Sequence, residues 1–109
     1  MNVTVRNVLT DRDVFLRYAD RGVFAFVMLF SQPRTPGGEA GMEAMTQELI
    51  EAALRCGGRY YLPYRLHATP EQFARAYPQG RDFFARKRHY DPDELFQNQF
   101  YRKYGRPGG

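Results

Sequence analysis

The stretch Val23 to Gln32 constrains this chain most. It reads Val-Phe-Ala-Phe-Val-Met-Leu-Phe-Ser-Gln, with apolar side chains at odd and even positions alike. Successive side chains of a strand point to opposite faces, so this run is apolar on both. That pattern predicts a central strand covered on both sides. The apolar part, Val23 to Phe30, is far short of the roughly 20 residues that cross a bilayer as a helix.

The other segments build around it. Asn2 to Leu9 alternates, with Val3, Val5 and Asn7 on one side and Thr4, Arg6 and Val8 on the other, which predicts a half-buried strand. Thr10-Asp11-Arg12-Asp13 supplies capping chemistry for a short helix over 14–19, ending near Asp20-Arg21-Gly22. Residues 33–38, Pro-Arg-Thr-Pro-Gly-Gly, read as a loop. Glu39 to Cys56 has the clearest helical period, carried by Met42, Met45, Leu49 and Ala53, and Gly57-Gly58 ends it. Arg59 to His67 reads as a third strand, an edge or bulged one because Pro63 offers no donor. Thr69-Pro70-Glu71-Gln72 announces a helix start, and Pro78 stops that helix. A further helix covers 81–89 and breaks at Asp91-Pro92. Residues 93–104 are helical or irregular and rich in aromatics.

This order predicts an α+β fold, a small and mainly antiparallel sheet with helices on one face. It partly matches a ferredoxin-like unit that lacks one strand. The domain is expected to cover 1–104, with a loose tail over 105–109. At 109 residues, 43% hydrophobic and 26% charged, the chain has the content of one globular domain with one modest core.

Charge is unevenly spread. Residues 1–54 carry five basic and seven acidic side chains, and residues 55–109 carry eleven and five. A basic half can attract nucleic acid, an anionic cofactor or an acidic partner. The arginines are interleaved with inward-facing aromatics and not gathered in a run, which weighs against nucleic acid. The single cysteine, Cys56, excludes an internal disulfide and is expected to be a buried, inert thiol. Two histidines and one cysteine make no metal spacing. With no signal-peptide order in Met-Asn-Val-Thr-Val-Arg, the expectation is a cytoplasmic protein outside the membrane.

The chemistry concentrates in Tyr64-Arg65-Leu66-His67. On a strand, Arg65 and His67 share one face and can address one ligand together. Arginine is always charged and offers a fork of donors suited to an anionic or carbonyl-bearing group. Histidine changes protonation near neutral pH. The plainer reading has Arg65 solvated and His67 capping the next helix.

Together with Arg86-Lys87-Arg88, Tyr90-Asp91-Pro92 and the amide-rich Leu95 to Tyr101, this segment resembles the C-terminal cap portion of FAD-linked oxidases of the vanillyl-alcohol oxidase type. The tail is most similar to the sugar-alcohol and lactone oxidase branch. The resemblance implies that Arg65 lies by the N1–C2=O edge of the flavin, where negative charge gathers on reduction. It implies that Tyr64 orients a substrate hydroxyl, and that Asn98 or Gln99 reaches the cofactor. His67 would have a structural role more than a direct one. The reaction implied is oxidation of an alcohol, lactone or hydroxy acid by hydride transfer to flavin N5.

No phosphate-cradling glycine loop accompanies these residues; Gly37-Gly38 and Gly57-Gly58 are turn signals. The chain is therefore expected to need a flavin-binding domain, in cis or in trans, and to hold FAD poorly alone. A second class is a non-catalytic α+β module that forms a homodimer through its open sheet. A third, weaker one is a nucleic-acid binder using Tyr and Arg of the basic half.

Overall fold

The computed structural model describes residues 1–106. Six elements follow in order: β1 (Asn2–Val8), β2 (Val23–Leu29), α1 (Pro36–Arg55), α2 (Pro70–Ala76), α3 (Gly80–Tyr90) and α4 (Gln99–Tyr104). The fold is α+β, with one antiparallel two-stranded sheet. The order ββαααα departs from the ferredoxin-like alternation. No helix long and apolar enough to cross a membrane occurs among the described residues.

The register pairs Val3 with Met28, Val5 with Phe26 and Asn7 with Phe24. Directly paired residues share a face. β1 forms as a strand, but it is not half-buried, being exposed at every residue except Val8, and the covered central strand is absent too: Phe24 is 70% exposed and Phe26 61%. Only one strand pairs with β2, so neither face is roofed as a multi-stranded sheet would be. The ribbon stands away from the helices. The radius of gyration is 15.3 Å, where a compact chain of 100 residues has about 13 Å.

The loop between the strands is not helical over 14–19. Asp11 Oδ1 accepts the N–H groups of Asp13 and Val14 at 2.9 and 3.2 Å. These are the bonds of a helix N-cap, yet no helix follows. The Asp11 N–H then closes onto the Ala19 carbonyl at 2.9 Å, and Ala19 is fully buried. Arg59 pins the loop by donating to the Arg17 carbonyl and the Asp20 carboxylate.

Helix α1 begins at Pro36, before the expected Glu39. Thr35 is the N-cap, its hydroxyl accepting the Gly38 N–H at 3.0 Å, and proline suits the first turn. Gly57 (φ 72) turns the chain at the far end. Cys56 is exposed there, not buried, because it is the cap residue where the chain leaves the helix. The capping box of Thr69 and Gln72 at α2 is present as read from sequence.

The core is aromatic. Phe73, Ala76, Tyr77, Phe84 and Tyr101 join α2, α3 and α4, with Tyr60, Leu62, Phe100 and Tyr104 packed around them. A Cβ on Gly105 would lie 2.4 Å from the Tyr101 ring and 2.7 Å from Phe84. Gly105 is buried, and its carbonyl accepts from Arg88 Nη1 at 2.9 Å, so it belongs to the body and not to a loose tail. The rest of the expected tail, 107–109, lies outside the described residues.

Candidate functional site

The third strand predicted over 59–67 does not form. Pro63 removes a donor from a short segment, and no neighbouring strand reaches it. Side chains take its carbonyls instead. Tyr77 Oη donates to the Tyr60 carbonyl, Lys103 Nζ to Leu66, Gln47 Nε2 to His67 at 2.8 Å, and Tyr104 Oη to Ala68 at 2.7 Å. Buried carbonyls need partners, and here α1, α4 and the end of α2 supply them. Burial pushes the Tyr60 and Tyr77 hydroxyls above the usual tyrosine value and Tyr104 up to about 12, so Tyr77 and Tyr104 remain donors at neutral pH.

Arg65 and His67 nevertheless converge. Both reach Glu39, in the first turn of α1. Arg65 Nη1 lies 2.9 Å from Glu39 Oε2, and His67 Nε2 lies 3.0 Å from Oε1. Gln32, just after β2, completes the cluster. Its amide donates to Glu39 Oε2 at 2.8 Å, and its carbonyl accepts from Arg65 Nη1 at 2.6 Å. His67 is only 7% exposed, with Nδ1 3.3 Å from Thr46 Oγ1. The Arg65 side chain is 56% exposed. Neither Glu39 nor Gln32 stands out as a site residue in the sequence. An acid at a helix start is ordinary, and only the packing reveals that it faces a buried histidine.

An open cleft of about 550 Å³ borders this cluster, lined by Gln32, Arg34, Thr35, Pro36, Glu39 and Arg65. Both bonds of Arg65 fall on Nη1, and no described residue accepts from its other guanidinium nitrogens. Arg34 and Arg65 bring two cations to the cleft and Glu39 one carboxylate, so its lining is net positive by one charge.

The other expected site residues lie apart from this cluster. Tyr64 is 69% exposed and meets Tyr61 edge-on, with ring centroids 5.0 Å apart. Asn98 is the N-cap of α4, its Oδ1 accepting the Tyr101 N–H at 2.8 Å. Gln99 is exposed. No hydrogen bond links Asn98 or Gln99 to residues 64–67 among the described residues. No group of histidine, cysteine and acidic side chains there is arranged to hold a metal ion.

The Gln32 and His67 hydrogen bonds, then the Arg65 charge, hold the Glu39 carboxyl below the usual 4.5. Arg75 does the same to Glu51, and Lys87 to Asp91. A carboxyl lowered by folding stabilises fully above its unfolded value, and that contribution fades as pH falls through the folded value. The melting temperature is therefore expected to fall as pH drops below about 4.5, the ordinary glutamate value. Glu39→Gln should flatten part of that fall. Melts across an acid series check this, and identical slopes for both chains would refute it.

No protein-family model, curated protein or solved structure matches the chain.

Proposed function

We propose that this chain is the C-terminal cap portion of an FAD-dependent oxidoreductase acting on an alcohol, lactone or hydroxy acid, and that it works with a flavin-binding domain in cis or in trans, in the cytoplasm. One observation carries the reading. Arg65, the residue that the resemblance sets against the flavin edge, stands half exposed on an open cleft and is held there through one nitrogen. When bound, the flavin supplies the hydride acceptor. Arg65 presents positive charge where negative charge develops, and that is worth most when the charge is fixed in advance. Glu39 and Gln32 fix it, and His67 anchors Glu39 from the buried side. Tyr64, which the resemblance assigns to a substrate hydroxyl, is exposed but does not line the cleft. Asn98 keeps its amide N–H groups for a partner while its oxygen caps α4.

The test has two arms. Purified chain titrated with FAD is expected to show no sub-micromolar binding. An FAD-loaded flavin-binding domain of this oxidase type, lacking its own C-terminal portion, is then fused to the chain and offered alcohols, lactones and hydroxy acids. Bleaching of the oxidised flavin absorbance by one class is expected. Tight FAD binding by the chain alone, or an unchanged spectrum with every class, would overturn the proposal.

A further inference from the structure

The ribbon presents an apolar face that no described residue fully covers. Val3 and Val5 of β1 and Phe24, Phe26 and Met28 of β2 all lie on it, and all are exposed. The face carries no charge; its one polar member is Asn7. Arg6 and Thr4 point to the other side, where Val23, Ala25 and Val27 are half-buried.

Two properties of this face identify what covers it. The first is its relief. Each cross-strand pair joins a large residue on β2 to a smaller one on β1: Phe24 to Asn7, Phe26 to Val5, Met28 to Val3. The face is thus a ridge beside a trough. A twofold axis lying between two such faces and parallel to the strands sets each ridge over the other copy's trough. The same operation stacks Val5 of one copy over Phe26 of the other. Charge does not oppose it, since like meets like only as hydrocarbon.

The second property is area. An aromatic side chain buries about 150–250 Å². At their exposures the two phenylalanines offer roughly 260 Å², and the valines and Met28 bring the face to roughly 450 Å². Two copies would bury at most on the order of 900–1,000 Å², below the roughly 1,200 Å² where stable interfaces begin and in the range of weak, transient ones.

We infer that the chain forms an isologous homodimer, face to face, through Val3, Val5, Phe24, Phe26 and Met28. It does not depend on the flavin reading, which concerns the cleft. Sedimentation of the 109-residue chain from low micromolar to millimolar concentration is expected to show conversion to twice the 12.7 kDa mass. Phe26→Glu should weaken association at least about tenfold with the helical circular dichroism retained. The axis is tested in a Cys56→Ser background. A short thiol cross-linker should join Val5→Cys chains to Phe26→Cys chains faster than it joins Phe26→Cys chains to one another. A monomer at every concentration overturns the inference. So does a dimer indifferent to Phe26→Glu, Phe26→Cys chains that cross-link only to themselves, or a ribbon that is covered only when a flavin-binding domain is added.

Discussion

Phe73→Ala is expected to destabilise the chain by about 3–5 kcal/mol, lowering the melting temperature by roughly 12 °C or more. Phe73 is almost fully buried. Its ring stacks on Tyr104 at 4.7 Å and Tyr77 at 5.7 Å, and meets Phe100 edge-on at 5.5 Å. A Cβ on Gly80 would sit 2.8 Å from it, which shows how closely α3 approaches α2 at this point. Deleting the ring opens a cavity between three helices that are stiffened by one another's aromatics, so collapse recovers little. Phe96→Ala is the control, since the same group is removed from an exposed position. Its effect should stay within about 0.5 kcal/mol. Thermal melts by circular dichroism decide the matter, and equal shifts for the two variants would show that the core has been misplaced.

Arg65→Ala carries the largest expected effect on chemistry. In the fused flavoprotein it should slow substrate-driven flavin reduction by about 10²–10³-fold, as the loss of one preorganised charge at a reacting edge does. Glu39→Gln keeps the guanidinium but removes the carboxylate on which Arg65 and His67 both rest. Its rate should fall less, with Arg65→Lys between the two because a point charge replaces a fork. Stopped-flow absorbance measures all three. A rate unchanged in Arg65→Ala would remove Arg65 from the reaction and leave its pairing with Glu39 as surface structure.

Much of this fold is legible in local chemistry. Thr69 with Gln72, Gly57 after α1, Asp91-Pro92 after α3 and the alternation of β1 are signals that neighbouring residues settle among themselves. The errors fall where distant groups decide. Residues 14–19 have a helical pattern and Asp11 offers it a cap, but Arg59 takes the Arg17 carbonyl and the Asp11 N–H takes that of Ala19. Residues 59–67 have strand composition, yet no described strand lies within reach, and side chains of α1, α4 and the end of α2 take their carbonyls. The candidate site shows the same division. Arg65 and His67 do reach one group, as their spacing suggests, although the strand that justified it is absent. That Glu39 is what they share was not readable, because 26 and 28 positions separate them and only the docking of α1 joins them.

The irregular segment beside the site has a consequence for how its motion would be judged. Residues 60–68 are anchored through carbonyls, while none of their backbone N–H groups donates a hydrogen bond among the described residues. Amide exchange watches only the N–H side of the peptide. By that measure the segment would pass for the loosest part of the body, yet four side-chain donors from the flanking elements fix its path. Its stiffness is borrowed from the helices, and whatever shifts α1 against α4 would reposition Arg65 without breaking a single bond of secondary structure.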